Sequence, residues 1–156
     1  GGGHKMAGGF SINEDKIPIF RDLLIRNFEK FYTNSSNDLN LFLDSTIAPT
    51  ALNENFFQEI NSLAPFGSGN AEPKFVIENI KVLSSNLVGD MHIKTILLGK
   101  DGSTFKGFAW NAKNTPLGQL LDQKIKKNIN VAGKMRLNEW RGKKEVEFII
   151  EDISLN

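Results

Sequence analysis

The first residues of the chain are those best suited to gripping an anion. Three consecutive glycines open the sequence: Gly1, Gly2 and Gly3. Glycine backbones adopt conformations closed to other residues, and their N–H groups can approach an anion closely. His4 adds a side-chain donor whose charge changes near physiological pH. The pattern predicts a phosphate-binding loop, and the alternative interpretation is a linker or tag remnant.

Basic and aromatic side chains alternate along one predicted strand in the second half of the chain. Lys106, Phe108 and Trp110 fall on one side of that strand, opposite a set of Phe105, Gly107 and Ala109. Binding a single nucleic-acid strand without sequence preference requires a positive groove with aromatic faces on which bases stack. The Lys106 side is such a stacking surface if it is exposed. The sequence does not decide which set is core.

A second group of basic residues follows near the end of the chain. Burial of Val131, Gly133, Met135 and Leu137 would turn Lys134 and Arg136 outward. The last predicted hairpin adds an aromatic ring and three cations: Trp140, Arg141, Lys143 and Lys144. Three glutamates dilute this charge, so a plain solvated hairpin is the alternative: Glu139, Glu145 and Glu147.

Composition sets the class of protein. The 156 residues are 40% hydrophobic and 24% charged, as in a soluble globular protein of one domain or two small ones. There is no cysteine, which excludes disulfides and thiolate metal sites. No stretch is as long as a membrane span, and no signal peptide is visible. The sequence therefore predicts a chain that works in the cytoplasm and not in a membrane.

The net charge of +1 hides an asymmetry. Residues 1–73 carry five basic and nine acidic residues (net −4), whereas residues 74–156 carry fourteen and nine (net +5). Such a split is typical of a chain whose second half has a polyanionic partner, and the alternative is a plain solvated surface.

The elements that must hold these residues can be read from hydrophobic spacing. The first part predicts a short strand at Phe10–Ile12 and a helix from Pro18. The apolar face of that helix is Phe20, Leu23, Leu24, Phe28 and Phe31. A polar linker should follow at 34–38, then a strand over Leu39–Leu43 and a second helix from about Asn53.

From Phe75 onward the sequence pattern predicts short strands. Strands are predicted at 75–83, 91–98, 104–110, 131–140 and 144–153, with one short helix that Thr115 caps. Three strands, a helix and two strands are the order of a five-stranded OB barrel, which commonly binds oligonucleotides. The predicted class is therefore α+β, mainly β.

Three motifs resemble one family in order and spacing. The opening Gly1–Phe10 resembles the terminal motif of the DHH-associated domain in RecJ-type single-strand-specific 5′→3′ exonucleases. The segment Pro65–Pro73 resembles the Pro-Phe-Gly-x-Gly-Asn-x-x-Pro stretch that leads into that family's OB domain, and Val131–Gly142 is similar to its last hairpin. The resemblance covers essentially the whole chain.

The resemblance implies where the domains of the chain begin and end and what each of them binds. Residues 1–33 would be the tail of the DHH-associated, substrate-gripping domain, 34–38 a linker and 39–156 the OB domain, with its barrel at about 74–156. Gly1, Gly2, Gly3 and His4 would hold a substrate phosphate, and the barrel would bind single-stranded DNA in repair and recombination. A single-strand-binding protein is the second partner that it suggests.

The resemblance also implies what this chain lacks. Family members hold two Mn²⁺ or Mg²⁺ ions in a catalytic domain with an Asp-His-His motif, and no such motif occurs here. His4 and His92 lie far apart in the sequence, whereas two-metal hydrolysis needs several converging ligands. The parent protein would be an exodeoxyribonuclease, and this segment alone is expected to bind no metal and to be inactive.

Two other functions stay open. The chain could belong to a related phosphoesterase that acts on dinucleotides or short oligonucleotides, since such enzymes also use a Gly-Gly-His loop. The OB domain could instead dock mainly onto a protein partner, with DNA contact incidental.

Overall fold

The computed structural model describes residues 1–4, 7–32, 40–121, 127–140 and 142–156. It divides into two compact units, Gly1–Leu41 and Phe42–Asn156. The predicted linker at 34–38 lies outside the described residues.

The first unit begins with a small glycine hairpin. Strand β1 (Gly2–His4) pairs antiparallel with β2 (Ala7–Gly9), and Gly3 stands opposite Gly8. A Cβ at Gly3 would lie 2.9 Å from the carbonyl oxygen of Ala7, so this pairing requires glycine there. The predicted strand at Phe10–Ile12 is wrong, because the pairing takes place within the glycine segment itself.

Helix α1 (Ile17–Tyr32) follows a 3-10 turn at Glu14–Lys16. Phe10 packs on Phe20, an early residue of α1, with ring centroids 4.7 Å apart. Within this unit, Leu23, Leu24 and Phe28 of the predicted apolar face are all more than half exposed.

The second unit is built on five long strands: β4 (Phe75–Val88), β5 (His92–Leu98), β6 (Thr104–Ala109), β7 (Ile129–Trp140) and β8 (Lys143–Leu155). They pair in the order β4-β5-β6-β8-β7, and β7 also pairs with β4, so the ladder returns to its first strand. Only the β6–β8 pairing among these five is parallel.

Strand β4 is longer than predicted because it serves two neighbours. Its first part, to Ile80, pairs with β7, and its second part, from Lys81, pairs with β5. Between Ile77 and Ile80 the register with β7 shifts, and Asn79 adopts a φ of 59°. The backbone N–H of Asn79 is satisfied by Oδ1 of Asn130 at 3.0 Å. The irregularity re-aims the strand, as β-bulges do.

Two capped helices flank the strands. In α2 (Glu54–Asn61) the Asn53 side chain accepts from the N–H of Phe56, and in α3 (Pro116–Leu120) Thr115 accepts from Gly118. Helix α3 lies between β6 and β7 in the chain. The strand predicted over Leu39–Leu43 is wrong. Residues 40–43 form none, and Leu39 lies outside the described residues. A two-residue strand, β3 (Ser45–Thr46), pairs parallel with β4 instead.

The core lies inside the ring of strands. Every long strand contributes buried apolar side chains, and α2 packs Phe56, Phe57 and Ile60 against them. The strand residues with no exposed surface are Ile77, Ile80, Leu97, Ile129, Val131 and Phe148. A Cβ at Gly133 would lie 1.9 Å from the Ile149 carbonyl oxygen, so β7 and β8 could not approach this closely with another residue there.

Candidate nucleic-acid interface

Strand β6 carries both sets of residues that the sequence left undecided. Phe105 and Ala109 belong to the core, which places Lys106 and Phe108 on the opposite, outer side. Trp110 follows the last strand residue and is 52% exposed. Phe108 is nevertheless only 8% exposed, because neighbours on the outer side cover it. We call the outward-pointing side chains of β5, β6, β7 and β8, together with Trp110, the outer face.

Three rings form a cluster on the outer face. The centroids of Phe108 and Trp110 are 4.6 Å apart, and those of His92 and Trp110 are 4.7 Å apart in an edge-on arrangement. Nδ1 of His92 accepts the backbone N–H of Asn111 at 3.0 Å, which fixes the imidazole. Ile93 pairs with Ala109, and this pairing places the preceding residue, His92, beside Trp110.

Arg136 is a residue of β7, and its side chain lies over the ring cluster. Its guanidinium carbon is 5.3 Å from the Phe108 centroid and 5.5 Å from the Trp110 centroid, both within cation–π range. The same guanidinium donates from Nη2 to Oε2 of Glu147 at 2.9 Å. Arg136 is therefore held between a carboxylate and two rings, one of which is Trp110.

Glu147 is the residue that sequence reasoning missed. Only 1% of it is exposed, although it stands among outward-facing positions of β8. Its Oε1 accepts from Nζ of Lys94 at 3.0 Å and from Nδ2 of Asn138 at 3.3 Å, and its Oε2 accepts from Arg136. We call these four residues the carboxylate cluster. Glu147 does more than offset the positive charge of its surroundings, because it accepts hydrogen bonds from side chains of β5 and β7.

The ionisation of Glu147 follows from this setting. Burial raises the pKa of a carboxyl group, but the hydrogen bonds from Arg136 and Lys94, and attraction to their charges, outweigh that effect. The pKa of Glu147 therefore lies below its ordinary value of 4.5, and the side chain is anionic at neutral pH.

The other cations of this region also stand beside carboxylates. Lys106 is 2.5 Å from Glu145, and Lys134 is 2.5 Å from Glu72. Unlike Glu147, these two glutamates are 48% and 36% exposed. The charges of Lys106 and Lys134 are thus compensated locally, so this part of the outer face is not a bare positive groove. Exposed pairs of this kind contribute about 0–1 kcal/mol, so their lysines can change partners at little cost.

A groove of about 590 Å³ opens beside Trp110. Its apolar lining comes from α3, β7 and β8, and four charged residues also line it. The lining residues are Glu72, Trp110, Leu117, Lys134, Met135, Arg136, Ile149, Ile150 and Glu151.

The predicted site also includes residues of the last hairpin and of the first unit. Lys143 and Lys144 are exposed on the last hairpin, where Lys144 lies 3.9 Å from Glu54. Arg141 and the Trp140 side chain lie outside the described part of the structure. Gly1, Gly2, Gly3 and His4 belong to the first unit, where all four are exposed.

No helix in the described ranges is both long and apolar enough to cross a membrane.

Comparison with known proteins gives a consistent result. The chain is 26% identical over 153 residues to the single-stranded-DNA-specific exonuclease RecJ of Escherichia coli, covering 97% of this chain and 26% of that protein. The protein of the same name from Dickeya dadantii is 28% identical over 154 residues, with the same coverage. The chain thus spans about a quarter of the length of the curated relatives it matches.

A solved structure matches as well. The crystal structure of RecJ in complex with Mn²⁺ from Thermus thermophilus has a TM-score of 0.63 at 25% identity, covering 98% of this chain and 21% of that one. The family model of the RecJ OB domain matches residues 43–152, which is more than half of the sequence. On that match, the chain belongs to the RecJ OB domain family.

Proposed function

We propose that this chain is the single-stranded-DNA-binding portion of a cytoplasmic, metal-dependent 5′→3′ exonuclease of DNA repair and recombination. The ring of β4, β5, β6, β8 and β7 would be the closed OB barrel, with α3 between its third and fourth strands. Residues 1–33 would be the end of a DHH-associated domain, and 39–156 the OB domain. The catalytic Asp-His-His domain would lie on further polypeptide.

The half-exposed ring of Trp110 is the observation that carries the proposal. An exposed indole flanked by His92, Phe108 and Arg136 loses little freedom when a base stacks on it. Stacking on an aromatic side chain contributes roughly 1–3 kcal/mol per base and tolerates any base. This geometry therefore suits a single strand whose bases are unpaired.

The phosphates of such a strand would be bound by Lys106 and Lys134. Each now pairs with an exposed glutamate, so exchanging that partner for a phosphate costs little. Arg136 has a different role from the one expected from sequence, because it is engaged by Glu147 and by two rings. It positions the stacking surface and does not bind phosphate.

The glycine hairpin would act on the strand's end. With His4 and the glycines exposed, backbone N–H groups and an imidazole are available to a terminal phosphodiester. Lys143, Lys144, Arg141 and Trp140 would extend the DNA path along the last hairpin.

Divalent metals would be bound by the catalytic domain of the proposed parent enzyme. They have no role in the DNA binding proposed for this chain. Solved RecJ structures from T. thermophilus are in complex with Mn²⁺ or Mg²⁺. Across the described ranges, no three His, Asp or Glu side chains cluster so that they could hold such an ion. The described residues of this chain therefore do not fit the metal.

The direct test is fluorescence anisotropy with a labelled single strand of about 20 nucleotides at low and moderate salt, with a duplex of the same length as reference. The 156-residue chain should prefer the single strand and lose affinity as salt rises. Trp110→Ala should weaken binding by roughly 1–3 kcal/mol. Phe42→Ala removes an exposed ring elsewhere on the second unit and should change nothing. Equal loss in both variants would remove the basis of the proposal.

The local charge balance favours one alternative function, docking of a protein partner such as a single-strand-binding protein. Under that alternative, capture of the purified partner survives Lys134→Glu, whereas single-strand affinity is absent from the outset.

A further inference from the structure

Trp110 lies just beyond the end of a strand. The pairing of β6 with β5 ends at Ala109, and Asn111 adopts a φ of 51°. A residue in the left-handed region does not continue a strand. The ladder therefore stops before Trp110, and the half-exposed indole depends on side-chain contacts for its orientation.

His92 makes two contacts at this position. Its Nδ1 accepts the backbone N–H of Asn111 at 3.0 Å, and its ring lies edge-on to that of Trp110 with the centroids 4.7 Å apart. Phe108 and Arg136 contact the indole ring. His92 contacts the ring and also holds the backbone of the next residue, so it links the indole to the segment that carries it.

The hydrogen bond to Asn111 also decides which nitrogen of His92 carries the proton. An imidazole nitrogen that accepts a hydrogen bond has no proton, so the neutral ring carries its N–H at Nε2. In this form His92 has no positive charge to offer a phosphate. A role in DNA binding would therefore be exerted through the ring that it positions.

The segment after Trp110 has a second anchor that needs no particular side chain. The N–H of Lys113 donates to the carbonyl oxygen of Met91 at 3.0 Å. Met91 precedes His92, so the start of β5 holds this segment through one backbone bond and one side-chain bond. A substitution of His92 removes only the second bond, and the segment should stay attached to β5.

We propose that His92 is a positioning residue for Trp110, because its Nδ1 fixes the backbone at Asn111 and thereby the orientation in which the indole stacks on a base. Without this acceptor the indole samples further orientations, and it loses them when a base binds. That added loss of freedom weakens binding. The inference rests on the proposed binding of single-stranded DNA and adds the group that keeps the stacking ring in place.

The test is fluorescence anisotropy at neutral pH with a labelled single strand of about 20 nucleotides, on the 156-residue chain and two variants. His92→Asn places an amide oxygen near the position of Nδ1 and keeps the acceptor, whereas His92→Phe keeps a ring and removes the acceptor. We expect His92→Phe to weaken binding roughly fivefold, the lower end of what the stacking of one base contributes, and His92→Asn to stay within about twofold of wild type. Equal affinities of the two variants, or the reverse order, would overturn the positioning role.

A double variant shows whether the effect passes through the indole. In the Trp110→Ala background, His92→Phe should cause no further loss of affinity, and the salt dependence should be the same with and without it. A further loss, or a shallower salt slope, would mean that His92 contacts DNA directly. Either result would refute the inference.

Hydrogen exchange measures the proposed bond without DNA. The amide of Asn111 should exchange faster in His92→Phe than in wild type or His92→Asn, and an unchanged rate would contradict the inference. Asn53→Ala is the matched control for affinity, because it also removes a neutral side-chain acceptor 3.0 Å from a backbone nitrogen, that of Phe56, outside the proposed DNA path. It should leave single-strand affinity unchanged.

The two proposals fail in different ways. Loss of binding in Trp110→Ala without loss in His92→Phe would overturn the positioning role and leave the proposed function standing. A wild-type chain that does not bind the single strand would overturn both.

Discussion

Arg136 and Glu147 face each other across the β7–β8 ladder and are joined by a hydrogen bond of 2.9 Å. Glu147 is buried, whereas the Arg136 side chain is 38% exposed and reaches over Trp110. One residue of the pair is thus interior and the other is surface. A substitution of Glu147 should therefore change both the free energy of unfolding and the position of the Arg136 side chain over Trp110.

Replacing Glu147 by alanine should lower the free energy of unfolding by roughly 2 kcal/mol, since three donors lose a charged acceptor. Urea unfolding followed by circular dichroism measures this loss. Glu145→Ala is the matched control, because Glu145 is 48% exposed in its pair with Lys106 and should matter by less than about 0.5 kcal/mol. Equal effects of the two substitutions would contradict the structural role of Glu147.

The stability of the second unit should fall in acid partly through Glu147. The pKa of Glu147 is lower in the folded chain than its ordinary value of 4.5, so the carboxylate stabilises the fold fully above that value. The contribution is lost as the pH falls below 4.5 and through the lower folded-state pKa. Unfolding free energies of wild type and Glu147→Gln should therefore converge in acid. A constant difference at all pH values would show that the carboxylate's charge is irrelevant.

Arg136→Lys should weaken single-strand binding severalfold while leaving its salt dependence unchanged. Lysine keeps the positive charge but loses the planar group that lies over Phe108 and Trp110. Anisotropy titrations over a range of salt give both quantities. A shallower slope of log affinity against log salt would mean that Arg136 contacts phosphate after all.

Lys106→Gln and Lys134→Gln should show the opposite behaviour. Each should reduce the slope of log affinity against log salt by roughly 0.7, the value for one phosphate contact on a single strand. Lys16→Gln, an exposed residue of the first unit outside the proposed DNA path, serves as the control with an unchanged slope. Slopes that match wild type in both test variants would leave the phosphate path without support.

Much of the fold follows from short-range patterns. Alternation predicts the strands, and the side chains of Asn53 and Thr115 predict the starts of α2 and α3 by capping them. The extension of β4 beyond Leu83 was not predicted, because its later polar residues do not alternate clearly with apolar ones. Its pairing with β5 is what extends it.

The site was less predictable than the fold. The exposed Trp110 lies on the predicted strand, but the burial of Glu147 depends on Lys94 and Arg136, which neighbouring strands bring to it. Sequence spacing within β8 alone makes Glu147 look like a solvated residue. The compensation of Lys134 by Glu72 is likewise a contact between residues far apart in the chain.

Strand β8 is buried without a break from Val146 to Ile150, so its side chains are covered on both sides of the sheet. Apolarity alone would then permit the strand to slide by one position, since a hydrophobic residue would replace a hydrophobic residue on either side. Glu147 forbids the slide, because it would carry an ionised group away from its donors and into the interior. The single acid in this run therefore helps to fix how β8 aligns with its neighbours.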